Sequence, residues 1–316
     1  MGTPLPENAQ ATAEYIVECA GKTAGLNTAR GDVAHWAAAV NLLLDQERFA
    51  DAHYAVRQLR VPFPDAEFVA NLTVVLDHLP AQATLTPFFD DPTKELQIAK
   101  RPGADTAVLL FCGGGTYRLG MPLNAFHRWA GQMPAHLIYL RDFRDEFFLD
   151  GVGATGGGLS GTLEFLREAV RELGARRTLC YGFSVGGFAA LHYGLLLDAA
   201  RVLALGAPVD LQPGANLFLR WARAARRLHK KHPKLRLNMV HEYRAAPTPP
   251  QVSLIYGEDN WDDRLHAERM RNCAFAALRP VAQFAGHNPV IELIRRGEFE
   301  SVLHEFCRSG SHPTTP

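Results

Sequence analysis

The chain has 316 residues, and its 33 Lys plus Arg balance 33 Asp plus Glu, so a globally basic nucleic-acid binder and an acidic disordered protein are both excluded. Hydrophobic residues make up 47% and charged residues 21%, ordinary globular usage, and no apolar run approaches the ~18 to 20 residues of a membrane-spanning helix. The length suits one large domain, or one with a small appendage.

The opening Met1 to Glu7 has neither a basic region nor an apolar core, so no secretory signal is expected, and Pro6 stands where a myristoylation signal prefers Ser or Thr. The five cysteines, Cys19, Cys112, Cys180, Cys273 and Cys307, are scattered and form no C-x-x-C pair. That pattern predicts reduced thiols in a cytoplasmic protein, with no disulfide framework and no zinc site.

From about Ala9 to Leu79 apolar residues recur at helical spacing: Tyr15, Ile16 and Cys19, then Trp36, Val40, Leu43 and Leu44, then Phe49, Ala52, Tyr54, Val56 and Leu59. We read residues 1–84 as an N-terminal helical region. The run from Trp36 to Tyr54, closed by Pro62 and Pro64, resembles a single tetratricopeptide-type helix pair, whereas a working array needs about three stacked repeats. A helical cap on the main domain is the simpler reading, and its surface offers a place for a protein partner or a second copy of the chain.

After Pro80 short β-branched and Leu-rich runs alternate with amphipathic stretches. The pattern predicts strands at Leu96–Ala99, Ala107–Cys112, His136–Leu140, Thr178–Phe183, Val202–Leu205, Val252–Tyr256 and Val281–Phe284. It predicts helices at Pro122–Gln132, Leu159–Leu173, Val185–Leu197, Asp263–Cys273 and Pro289–Phe306. The fold class is therefore α/β, a mainly parallel sheet with helices on both faces. Ligands of such sheets bind beyond the carboxyl ends of the strands, so the residues following each strand are the candidates for chemistry.

Behind the apolar run Thr178–Tyr181 comes Gly182-Phe183-Ser184-Val185-Gly186-Gly187, and a helical pattern starts at once. This is G-x-S-x-G between strand and helix, a turn that strains the serine backbone and exposes its hydroxyl above the sheet. A serine hydroxyl needs a base and an orienting acid, in chain order Ser, Asp or Glu, His. Of the 13 histidines, His287 in Gly286-His287-Asn288-Pro289 follows the last expected strand and precedes a helix, which suits a general base at the sheet edge.

Gly182 to Gly187 with His287 resembles the α/β-hydrolase superfamily over about residues 85 to 309, with the rest of residues 85–316 in the same domain. The resemblance implies an acid three residues after Gly257, a place held here by Asn260. Any of Asp259, Asp262 and Asp263 could reach His287; Asp263, in the first turn of the following helix, is preferred and Asp259 comes next. A helix N-cap is the competing role for Asp263, and turn chemistry for Asp259. The Gly113-Gly114-Gly115-Thr116 run behind the second strand resembles the His-Gly-Gly-Gly motif of lipases and esterases, with Cys112 in place of the histidine. That implies an oxyanion hole from the N–H groups of Val185 and Gly114, with Gly115 behind. Cys112 itself closes an apolar strand and reads as a structural thiol. Neither Gly run has a nucleotide-binding register, and Gly151 to Gly158 reads as a loop at the site mouth or in solvent.

Between Asp210 and Glu242 no acidic residue occurs, yet Arg220, Arg223, Arg226, Arg227, Lys230, Lys231, Lys234 and Arg236 do. In the family this stretch, about 211–250, carries the cap. Phe218, Trp221, Ala225 and Leu228 share one face, leaving the cations on another, where they meet solvent, the acidic stretch Glu164 to Glu168, or an anionic substrate. The expected function is a serine hydrolase acting on a small-molecule acyl ester or carrier-bound thioester through an acyl-enzyme on Ser184, with no metal or organic cofactor and no nucleic acid. An acyltransferase with the same triad, and an interaction protein on a hydrolase scaffold, are the other readings.

Overall fold

The computed structural model describes residues 8–22, 25–28, 32–82, 84–115, 118–216, 220–235 and 237–308. Thr116, Phe218 and Arg236, named above, lie outside them.

Helices α1 (Ala9–Gly21), α2 (Val33–Asp45), α3 (Phe49–Leu59) and α4 (Glu67–Asp77) come first. Asn8 and Asp32 cap the first two by accepting from the N–H groups of Ala11 and His35. Trp36, Ala39, Val40, Leu43 and Leu44 fall on one face of α2 and are fully buried, packing with Ile16, Val56 and Leu72 in a core of their own. Each large side chain so buried contributes roughly 1.5–3 kcal/mol. Val75 of α4 instead belongs to the core beneath the sheet, the one that holds Val290 and Leu293 of α11.

The chain then alternates: β1 (Leu96–Ala99), β2 (Thr106–Phe111), α5 (Leu123–Ala130), β3 (His136–Leu140), α6 (Gly158–Glu172), β4 (Arg177–Phe183), α7 (Val185–Leu196) and β5 (Arg201–Leu205). After α8 (Ala222–Lys231) and α9 (Met239–Ala245) come β6 (Gln251–Gly257), α10 (Trp261–Glu268), β7 (Ala276–Val281), α11 (Pro289–Arg295) and α12 (Phe299–Cys307). The seven strands order as β1-β3-β2-β4-β5-β6-β7, with β1 antiparallel to β3 and every other pair parallel. This is the mainly parallel α/β-hydrolase sheet, with helices on both faces. Side-chain alternation divides the core: Leu109, Phe111, Cys180 and Ala204 face α6 and α7, while Val108, Leu110, Leu179 and Leu203 face α5, α11 and α12.

Three expected elements differ, one of them α10, which runs Trp261–Glu268 rather than Asp263–Cys273. The last strand runs Ala276–Val281 rather than Val281–Phe284. It is an edge strand paired only with β6, so Pro280 and Arg279 are tolerated and the apolar alternation is lost. The helix expected over Pro289–Phe306 is two, because Gly297 at φ +70° ends α11 before α12 begins.

Candidate active site

Ser184 joins β4 to α7 with φ 56° and ψ −120°, a conformation unfavourable for a residue with a Cβ. Its neighbours explain how the turn closes. A methyl group on Gly182 would lie 2.0 Å from the Gly186 carbonyl oxygen, and one on Gly186 would lie 2.0 Å from that of Phe111. No other residue fits either place. The turn is held from outside as well, since the Ser184 N–H donates to the Leu205 carbonyl at 2.8 Å.

His287 follows β7 and Asp263 lies in α10, behind β6. The imidazole bridges them to the serine: Nε2 is 2.9 Å from Ser184 Oγ, and Nδ1 is 2.8 Å from Asp263 Oδ2. An ionised Asp263 accepts from Nδ1–H, which leaves the Nε2 lone pair for the serine hydroxyl. Between β4 and β6 lies the end of β5, where Gly206 at φ +55° leaves the room His287 uses: a Cβ there would be 2.7 Å from the His287 carbonyl oxygen and 3.2 Å from its ring. The Phe183 and Trp221 rings flank the imidazole at 5.5 and 6.0 Å between centroids.

The choice between the two aspartates follows from where α10 begins. Asn260 is its N-cap, accepting from the Asp263 N–H at 3.0 Å, so the helix starts at Trp261 rather than Asp263. Asp263 is therefore not the cap, and its side chain is free to turn inward, where it is 1% exposed. Among the described residues its Oδ1 has no hydrogen-bond partner. Asp259 is not brought to His287; it is exposed, and its backbone N–H pairs with the Phe284 carbonyl.

Ser184, Val185, Gly114 and Gly115 line one cleft of about 390 Å³. Val185 opens α7, where a helix leaves its N–H without an internal acceptor. A Cβ on Gly114 would lie 3.1 Å from Val185 Cγ2 and 2.9 Å from Asp145 Oδ1, so glycine leaves room there for these two side chains. Cys112 is buried and its thiol is pushed up to about 12 by desolvation, which suits a structural role. Gly151 to Gly158 leads into α6, and none of it lines this cleft. Gly151 is packed against Gly158 and Thr162.

Asp145 is a charged cleft residue that sequence reasoning passed over. It follows β3, and the same rule that singled out Ser184 and His287, reading what comes after each strand, would have reached it. Its loop is unusual, with Asp145, Phe147 and Phe148 all at positive φ. The buried Asp142 carboxylate offsets that strain by accepting from the N–H groups of Arg144, Glu146 and Phe148. Burial raises the Asp145 carboxyl against the opposing pull of Arg227.

The basic helix α8 lies against this loop and not against Glu164 to Glu168. Arg227 pairs with Asp145 at 3.7 Å, and Lys231 with Asp150 at 2.7 Å and Glu146 at 3.4 Å. Glu168 is taken by Arg171 on its own helix.

No protein-family model matches the chain, and no curated protein does. Among solved structures it is similar to FphF, a fluorophosphonate-binding serine hydrolase of Staphylococcus aureus, with 13% identity, 68% of this chain and 92% of that one covered, and a TM-score of 0.48. An S-formylglutathione hydrolase from Agrobacterium tumefaciens gives 13% identity, coverage of 67% and 90%, and a TM-score of 0.46. The capsule O-acetyltransferase of Neisseria meningitidis serogroup A gives 12% identity, coverage of 72% and 98%, and a TM-score of 0.47. The strand order, not these similarities, carries the fold. Among the described residues no helix is long and apolar enough to cross a membrane, and no group of His, Cys, Asp and Glu could hold a metal ion.

Proposed function

We propose that this chain is a serine hydrolase that cleaves an ester or thioester through an acyl-enzyme on Ser184. The observation that carries the reading is the continuous hydrogen-bond chain from Ser184 Oγ through His287 to Asp263, with the serine on the wall of a cleft. In this mechanism His287 Nε2 takes the hydroxyl proton as Oγ attacks the carbonyl carbon, and Asp263 stabilises the resulting imidazolium. The N–H groups of Val185 and Gly114 receive the oxyanion, with Gly115 behind them. The imidazolium then protonates the leaving alcohol or thiol. Water, deprotonated by the same nitrogen, releases the acid and restores the serine.

Residues 211–250 act as the cap in this reading, because Arg220, Trp221, Arg223, Ala224 and Arg227 from that stretch share the cleft with Ser184. Replacement of water by an alcohol or amine acceptor would make the same machinery an acyltransferase.

A fluorophosphonate probe with peptide mapping tests the proposal. Labelling of Ser184, absent in Ser184→Ala, is expected, together with hydrolysis of a short para-nitrophenyl ester. Folded protein that takes no label and hydrolyses no ester would sink it. Product partitioning in the presence of alcohol or amine acceptors separates hydrolysis from transfer.

A further inference from the structure

Charge is unevenly distributed in the cleft that holds Ser184. Among the described residues Arg220, Arg223 and Arg227 line it, with Asp145 as the acidic one. Arg223 and Arg227 are four residues apart on α8 and so project from one face, with Arg220 three residues before Arg223. Two of the three cations are already engaged. Arg227 faces Asp145 at 3.7 Å and donates to its carbonyl oxygen at 2.6 Å, while Arg220 faces Asp262 at 3.8 Å and leans over the Trp221 ring. Among the described residues Arg223 makes no ion pair. It is exposed, and the cleft it lines also holds the apolar Ala224, Trp221 and Phe147.

We propose that Arg223, supported by Arg220, is the anion subsite of this cleft, and that the substrate is an acyl ester or thioester carrying a carboxylate or phosphate. The inference rests on the serine-hydrolase reading above. A guanidinium fork binds either anion with paired hydrogen bonds, and Arg223, exposed at the cleft, is open to one. Asp145 sets the direction. Its Oδ1 is 2.9 Å from where a Gly114 Cβ would be and its carboxylate takes Arg227 at 3.7 Å, so the cation on that side of the cleft is already matched. A substrate anion settles toward Arg223 instead, with the scissile carbonyl left for Ser184. The long pair between Arg220 and Asp262 can open toward the same anion.

Two matched substrate pairs test this and locate the anion. In the first, a para-nitrophenyl glutarate monoester is compared with para-nitrophenyl valerate, which places the carboxylate on the acyl chain. In the second, S-acetyl phosphopantetheine is compared with S-acetyl pantetheine, which places a phosphate on the leaving group. For one pair kcat/KM is expected to favour the anionic member by about 10-fold or more, mainly through KM, as a charge-assisted hydrogen bond implies. The preference should fall with added salt. Arg223→Ala should bring the ratio near one and Arg223→Glu should invert it, while Arg226→Ala, exposed on the same helix outside the cleft, keeps the wild-type ratio. Turnover with no preference in either pair, or a preference that survives Arg223→Glu, overturns the subsite and leaves the hydrolase reading intact. Absence of both turnover and Ser184 labelling overturns the two together.

Discussion

Asn260 ties Asp263 to the loop that carries His287. Its Oδ1 accepts the Asp263 N–H at 3.0 Å, and its Nδ2 donates to the Ala285 carbonyl at 3.1 Å, two residues before His287. Asn260→Ala removes both bonds, so it should lower stability by about 1 kcal/mol, the usual cost of a lost cap, and lower kcat as well. Asn260→Asp keeps the cap but sets a carboxylate against the Ala285 carbonyl. It should unfold near the wild-type temperature yet turn over more slowly. Wild-type kcat in the Asp variant would show that the Ala285 bond does not position His287.

Asp263→Asn should cut kcat on the order of 10³- to 10⁴-fold with little change in unfolding, because an amide cannot hold Nδ1–H and the imidazolium as a carboxylate does. Asp259→Asn, at an exposed turn, should stay within about twofold of wild type. Steady-state kinetics on a neutral ester decide it, and the opposite order would displace Asp263 from the triad.

The first helices reach the loop that carries Gly113 and Gly114 through Arg118. Its guanidinium donates to Asn41 Oδ1 on α2 at 2.7 Å, and its carbonyl accepts the Gly113 N–H at 2.7 Å, one residue before Gly114. Burial lowers the Arg118 pKa, with Asp45 opposing, so the loss of one partner is felt. Asn41→Ala is expected to reduce kcat by about 10-fold and to slow fluorophosphonate labelling, with KM nearly unchanged, since a small shift of the oxyanion donors weakens transition-state contacts. A fall in thermal stability with kcat intact would reduce the contact to packing alone.

Acid should destabilise the fold through His127. The ring is 3% exposed, with Nδ1 2.6 Å from the Tyr139 hydroxyl and Nε2 2.6 Å from the Thr86 carbonyl, and desolvation pulls its pKa from 6.5 to about 4. Between those values the unfolded chain binds the extra proton. The stabilisation is therefore complete above pH 6.5 and lost as pH falls through 4, with roughly 2 kcal/mol gone by pH 5. Denaturant midpoints at pH 7 and pH 5 should converge for wild type and His127→Gln, the wild type losing more. Parallel losses would show that the imidazole is not held neutral.

Some of this was legible because it is a contiguous, local matter. The apolar run of β4 followed by Gly182, Ser184, Gly186 and Gly187 announces the strained turn, since no side chain fits against Phe111 and Gly186 there. The unbroken apolar runs Ala107–Phe111 and Leu179–Tyr181 likewise foretell strands buried on both sheet faces. The edge strand β7 was misplaced toward Phe284 because a strand with one neighbour and solvent on much of its surface carries Pro280 and Arg279 without an apolar rhythm.

By itself the sequence determined the chemistry on offer, a serine on a glycine-flanked turn and a histidine after the last strand, because turn sterics and strand periodicity are written in neighbouring residues. Only the tertiary structure decided which carboxylate meets His287, since Asn260 takes the cap, α10 begins earlier, and Asp263 turns inward while Asp259 stays outside. It also decided what the basic stretch faces. Charges on α8 are paired by a loop some 80 residues earlier in the chain, and no local pattern encodes which distant surface a helix packs against.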